Sequence, residues 1–443
     1  MRIIVIGATA AGTTAAAKAR RMLKEGEIIM YDKGKTTSFG ACGLPFYVGK
    51  FFDDPNEMIA RTSEQFEKSG IQVKLQHEVI AVNAMDKTIT IRNLLNRSEF
   101  SDKYDKLLIA TGAEPVLPPF AKPLPEGVFL LRTLEDGQNL RRALERNTVR
   151  HVVIIGAGFI GLEVAEATHK LGKKCTVIEM KDRVMADSFD AELTTIMEEE
   201  LKKHNVQLNL GCKVQSFWGT PVNKVVTDQG EITCDLVVLS AGVKPSTSFV
   251  QNLGLNLHTN GAIVVNNQGE TNLPDIYAAG DCATVQHLLK KEPTYIPLAT
   301  VANKLGRIAG ENMAGAQSVL PPMLGAASLK VMNLEAARVG LGEQEAKDAG
   351  YDISTVFITD PDHTSYYPPR YDLHVKLIYE KSSKVLLGGQ IVGQMGAALR
   401  AHALSVAIMK KVTTNELGLM DLGYSPAFTR TWDTLNVAGN VAK

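Results

Sequence analysis

The sequence has no CxxC or CxxxxC pair, although it holds five cysteines, at 42, 175, 212, 234 and 282. Their isolation argues against a disulfide framework and against a zinc site. The nine histidines add no metal-ligand spacing. An excess of one charge is missing too, since 48 Lys and Arg balance 48 Asp and Glu. No basic tract points to nucleic acid and no acidic tail to a disordered arm. No stretch approaches the roughly 18 apolar residues of a membrane-spanning helix. The N-terminal apolar run, Ile3-Ile4-Val5-Ile6, has four residues and meets Gly7. It reads as a buried strand and not a signal peptide, so the cytoplasm is the expected location.

What is present is ordinary soluble composition, 45% hydrophobic and 22% charged over 443 residues. That length needs more than one core, and two to four domains are expected. Residues 1–12 predict a strand and a glycine turn, 13–24 a helix rich in Ala and Lys, and 27–31 a second strand ending at Asp32. The order repeats from His151: strand, turn at 156–161, helix at 162–171, then a strand that includes Cys175 and ends at Glu179. Two such openings about 150 residues apart predict two Rossmann-like nucleotide-binding domains. Beyond about 325 the pattern becomes strand, polar turn, strand and helix, a third domain of α+β character.

The second turn, Gly156-Ala157-Gly158-Phe159-Ile160-Gly161, is a complete GxGxxG between strand and helix. Its first glycine makes the turn, its second admits a pyrophosphate, and its third lets helix and strand pack closely. Exposed N–H groups and the helix dipole favour the phosphates. Glu179, 18 residues past Gly161, is placed to hold a ribose 2′-hydroxyl, which favours NADH; Lys181 and Arg183 leave NADPH open. The first turn keeps the outer glycines, Gly7 and Gly12, but has Thr9 between them. Asp32 lies 20 residues past Gly12, and Gly280-Asp281 ends a later strand where an acid can bind a ribityl and pyrophosphate region.

Cys42 lies in Ser38-Phe39-Gly40-Ala41-Cys42-Gly43-Leu44-Pro45. Pro45 suits the first turn of a helix, and a thiol at a helix N-terminus is expected to be acidified and reactive. The other four cysteines read as buried structural thiols. Two tyrosine segments, Thr364-Ser365-Tyr366-Tyr367-Pro368-Pro369 and Gly423-Tyr424-Ser425-Pro426, carry no signal by periodicity alone.

Taken together, these motifs resemble a family. The N-terminal glycine turn, Ser-Phe-x-x-Cys-Gly-Leu-Pro, Ala110-Thr111-Gly112, the GxGxxG, Ala-Gly at Gly242, Ala-Ala-Gly-Asp ending at Asp281 and Leu298-Ala299-Thr300 are similar to the single-cysteine branch of the FAD/NAD(P)-linked disulfide reductases. Within it the chain most resembles the coenzyme A disulfide reductases. The NADH oxidases and peroxidases of that branch carry a histidine in the first glycine turn, where this chain has Thr9-Ala10-Ala11. The residue before the cysteine, often Asn in the family, is Ala41, and residue 18, often Gln, is Lys18.

The resemblance implies an FAD-binding domain at 1–115 and 245–322, an NAD(P)H-binding domain at 116–244, and a dimerisation domain at 323–443. It implies FAD held at Gly7, Gly12, Asp32, Ala110, Thr111, Gly112, Gly280, Asp281, Ala299 and Thr300. NADH or NADPH would lie at Gly156, Gly158, Gly161, Glu179 and Gly242. The implied substrate is coenzyme A disulfide, along a channel lined by Lys18, Arg21, Ser38 and Asn303. Cys42 would form the mixed disulfide, and Tyr366 and Tyr424 would complete the site of the other subunit in a homodimer. No metal is implied, nor nucleic acid or a membrane. An NADH oxidase or peroxidase working through a Cys42 sulfenic acid is the alternative, and a flavin-based redox sensor the alternative of another class. The chain carries no rhodanese-like extension, which points away from a persulfide reductase with a fused sulfur-transfer domain.

Overall fold

A computed structural model describes residues 1–442 as a mixed α/β protein built on three five-stranded sheets. The first sheet is parallel. Strand Arg2–Ile6 lies between Glu27–Asp32 and Lys106–Ile109, with Gln72–Leu75 and Ile276–Ala278 at its edges. Its central strands are continuous apolar runs because both faces are covered, and their core takes in Ala11 and Ala15, Ala302 and Leu305, and also Ile89 and Ile91; Ile3, Ile4, Val5, Leu107, Leu108 and Ile109 are 0% exposed. The helix predicted at 13–24 forms over Ala10–Met22, three residues earlier, because the turn itself begins the helix. It packs along helix Ala299–Met313 at unusually short range. A Cβ on Gly306 would stand 2.4 Å from Ala11 O, and one on Gly310 2.3 Å from Ala15 O.

The second sheet is parallel as well, in the order Val206–Asn209, Lys174–Ile178, His151–Ile155, Leu236–Leu239, Val128–Phe129. Two three-stranded antiparallel sheets, His77–Asn83 with Thr88–Asn93 and Glu99–Lys103, and Val214–Trp218 with Lys224–Thr227 and Gly230–Thr233, serve as crossovers within the two units. The sequence reading did not resolve them. Their signal is plain alternation, as in Thr88-Ile89-Thr90-Ile91, where only the isoleucines are fully buried. Paired segments Ala113–Pro115 and Val243–Pro245 mark where the chain leaves the first unit and returns.

The third sheet is antiparallel, ordered Ala327–Val331, Leu334–Gly340, Leu386–Gly393, Asp372–Glu380, Ile353–Pro361. Helices Ala397–Met409 and Thr434–Val441 pack on it. Among the described residues no helix is long and apolar enough to cross a membrane.

Candidate active site

Cys42 is the exposed thiol, and Cys175, Cys212, Cys234 and Cys282 are buried. Its segment bridges the two parallel units. On one side Ser38 N–H donates to Ala8 O (2.8 Å), within the first glycine turn, and Ser38 adopts a left-handed conformation (φ 47°). On the other side the short helix Leu44–Val48 sends Leu44 and Val48 into the core of the second unit, against Leu140, Leu162 and Ala165. Burying each of those two side chains is worth about 1.5–3 kcal/mol. Gly40 N–H donates to Met58 O (2.8 Å), which ties down the backbone two residues before Cys42.

The expectation of an acidified thiol is not met. The helix after Cys42 has five residues, too short for an effective dipole, and Cys42 precedes it in a 3-10 turn. Desolvation by the surrounding protein pushes the thiol up, and the carboxylates of Glu163 and Asp281 add to that; Arg132 opposes it. Glu163, on helix Phe159–Lys170, is itself pushed up to about 7, by burial first and by Glu166 second. Burial also raises Asp281, which Arg132 Nη2 approaches at 3.5 Å. Glu163, Arg132 and Tyr295, which faces Asp281, escaped the sequence reading. Only Glu163 had a signal there, as the residue two past the last glycine of the second turn.

Both turns fit a dinucleotide. In the first, Asp32 Oδ2 accepts from Ala8 N–H and Oδ1 from Gly34 N–H, each at 2.6 Å. In the second, Glu179 Oε2 accepts from Ala157 N–H (2.8 Å) and Oε1 from Lys181 N–H (2.9 Å). Each carboxylate oxygen keeps a further lone pair for a ribose. A Cβ on Gly12 or Gly161 would stand 1.9 Å from the carbonyl oxygen of Gly7 or Gly156. Gly158 differs, because a Cβ there meets nothing within 4 Å. The protein itself does not require that glycine, whereas a pyrophosphate laid over the turn would. Tyr295 Oη and Ser240 Oγ, near the two strand ends, are buried without a partner in the described residues.

Ala110, Thr111 and Gly112 follow strand Lys106–Ile109, with Thr111 Oγ1 donating to Ser246 O (2.7 Å). Gly280 and Asp281 follow strand Ile276–Ala278. Gly242 follows strand Leu236–Leu239 in the second unit. Ala299 and Thr300 are exposed at the start of helix Ala299–Met313. Asn303 on that helix accepts from Thr14 Oγ1 (2.7 Å). Arg21 is exposed, but Lys18 is already paired with Glu311 (2.9 Å).

At the ribose edge of the second unit, Lys181 pairs with Asp187, and Arg183 turns its guanidinium to the carbonyls of Ala186 and Phe189. On the third domain Tyr366 and Tyr424 form an exposed pair, hydroxyl to hydroxyl at 3.0 Å. That bond pushes Tyr424 up, so it keeps its proton to higher pH.

Residues 1–306 match the family described as pyridine nucleotide-disulphide oxidoreductase, and 326–435 match its dimerisation domain. A Pyrococcus horikoshii protein described as NAD(P)H coenzyme A polysulfide/persulfide reductase is 36% identical over 100% of this chain and 98% of its own length. A Staphylococcus aureus coenzyme A disulfide reductase is 32% identical over the whole of both chains. The solved structure of the water-forming NADH oxidase of Lactobacillus brevis bound to NADH superposes with a TM-score of 0.94, at 29% identity, over 99% of this chain and 97% of that one.

Proposed function

Because the chain belongs to the pyridine nucleotide-disulphide oxidoreductase family, we propose that it reduces coenzyme A disulfide at the expense of NADH or NADPH, through a mixed disulfide on Cys42. The observation that carries this reading is the one exposed cysteine standing between two dinucleotide turns. FAD, when bound by the first unit, supplies the relay of an electron pair from the nicotinamide to sulfur. We assign that unit to 1–115 and 245–322, the nicotinamide unit to 116–244, and the dimerisation unit to 323–443.

The chain's own residues do the following. Cys42 Sγ, as thiolate, attacks one sulfur of the substrate; a Cys42–coenzyme A disulfide forms, the substrate S–S bond breaks and one coenzyme A thiolate leaves. The Tyr366–Tyr424 pair gives that thiolate its proton. Reduction of the mixed disulfide frees the second thiolate and restores Cys42. One hydride and one proton enter per cycle, and two thiols leave. Arg21, Ser38 and Asn303 line the substrate approach, and Lys18 contributes once it exchanges Glu311 for a phosphate. The dimerisation domain makes the protein a homodimer, and the exposed tyrosines serve the partner's cysteine.

The Pyrococcus relative, of this chain's own length, is named for polysulfide and persulfide. A fused sulfur-transfer domain therefore does not separate the two substrate classes. The absence of a histidine from the first turn weighs against the oxidase reading.

Mass spectrometry of the unreduced protein tests the proposal. We expect coenzyme A on Cys42, released by NADH, and no disulfide turnover in Cys42→Ser although pyridine nucleotide still binds. An added oxygen on Cys42, with rapid NADH-dependent oxygen uptake, would replace the proposal by the oxidase reading.

A further inference from the structure

At the end of strand Ile353–Pro361, Asp362 and His363 are buried side by side, their side chains 2% and 3% exposed. His363 Nδ1 lies 2.7 Å from Asp362 Oδ1, and Nε2 lies 2.6 Å from the carbonyl oxygen of Tyr367. Both ring nitrogens thus face acceptors. The ring therefore bridges the Asp362 carboxyl and the Tyr367 carbonyl, one contact on each nitrogen. Asp362 Oδ1 also accepts from Tyr371 N–H (3.1 Å), and its Oδ2 has no partner in the described residues.

The other charged groups around the pair are matched. Arg400, on helix Ala397–Met409, donates to Asp362 O (2.9 Å) and is paired with Asp433 at 2.9 Å; Arg430 is paired with Asp360. The Tyr367 ring packs edge-on against His363 at 5.8 Å.

The carbonyl held by the ring belongs to the residue after Tyr366. Thr364 Oγ1 donates to Pro426 O (3.0 Å), so the same loop is tied to the segment that carries Tyr424. We propose that the buried Asp362–His363 contact is the positioning device for the tyrosine pair: the ring, held on one side by Asp362, anchors the 364–369 loop at the Tyr367 carbonyl and so holds the Tyr366 hydroxyl against Tyr424. Neither Asp362 nor His363 reaches substrate, and both act through Tyr366. The inference rests on the reading that these tyrosines supply the proton.

The experiment compares wild type, Asp362→Asn, Tyr366→Phe and their double variant in coenzyme A disulfide reduction across pH, with melting temperatures alongside. Asp362→Asn is expected to lower kcat about tenfold through misplacement while leaving KM for the nicotinamide unchanged. The double variant is expected to be no slower than Tyr366→Phe, because both changes remove one arrangement. Losses that multiply, or an Asp362→Asn profile that coincides with wild type, overturn the proposal. If Tyr366→Phe is itself fully active, the proton-donor reading fails and this inference fails with it; if Tyr366→Phe is slow and Asp362→Asn is not, the inference alone fails. Should Asp362→Asn not fold, hydrogen exchange in wild type decides. Amides 364–370 must exchange well below the rates of an unprotected chain, and exchange at unprotected rates there overturns the proposal.

Discussion

The two glycine turns are the same device built twice, and they differ where a ligand would touch them. Gly7 N–H is held by Tyr31 O and Gly156 N–H by Ile178 O, each at 2.8 Å. An acid at the end of the second strand clamps the next N–H in both. The last glycine meets the same carbonyl at the same 1.9 Å. Between them stand Thr9 in one turn and Gly158 in the other, both in extended backbone (φ −108° and −84°) that any residue adopts. The outer glycines therefore serve the fold, and the middle position is the one the fold leaves open.

Substitution breaks the comparison most forcefully at the outer glycines. Gly161→Ala drives a methyl into a backbone oxygen and should cost about 3 kcal/mol or more, a large share of a domain's stability. Gly12→Ala should do the same to the first unit. Gly158→Ala should leave the melting temperature within the equivalent of about 0.5 kcal/mol and raise KM for the nicotinamide roughly tenfold. Melting curves and NADH titrations read both effects. If Gly158→Ala melts as early as Gly161→Ala, the division between fold-bearing and ligand-bearing glycines is wrong.

That division also explains what the sequence disclosed. The two strand–turn–helix–strand openings were legible because each depends on a run of about thirty residues with local rules: apolar strand, glycines at fixed offsets, acid at the next strand end; the sheet-edge strands Gln72–Leu75, Val206–Asn209 and Val128–Phe129 were not. Cys42 was legible for the same reason. Its environment was not: burial of the thiol, with the charges of Glu163 and Asp281 from elements more than a hundred residues away adding to it, reverses the expected direction of its acidity. The buried His363 pair was invisible too, because what holds the ring is a carbonyl and a carboxyl brought to it by a turn.

A second difference between the turns lies two residues past the last glycine. In the first unit this is Thr14, neutral, bonded to Asn303 (2.7 Å). In the second it is Glu163, held up at about 7, whose charge bears on Cys42. Below about pH 7 Glu163 is protonated and adds no repulsion; above it, its charge disfavours the thiolate. In Glu163→Gln the alkylation rate of Cys42 in the reduced protein should therefore rise several-fold above pH 7 and match wild type at pH 5. Desolvation, the larger cause, remains, so the thiol stays above its ordinary range. Superimposable profiles on the alkaline side would show that Glu163 does not act on Cys42.

The smallest difference follows the ribose acids. Two residues past Asp32 stands Gly34, and two past Glu179 stands Lys181, whose ammonium is engaged by the exposed Asp187. Arg183 is committed to backbone carbonyls, so Lys181 is the cation free to turn toward a 2′-phosphate once Asp187 is removed. An exposed ion pair of this kind is worth about 0–1 kcal/mol, which limits the effect. Asp187→Ser should raise kcat/KM for NADPH about three- to fivefold and leave NADH within a factor of two. The gain should shrink as ionic strength rises, because screened charges at the surface are all it rests on. A ratio that does not move at low salt would mean that Glu179 alone sets the preference and that Lys181 lies outside the reach of the ribose.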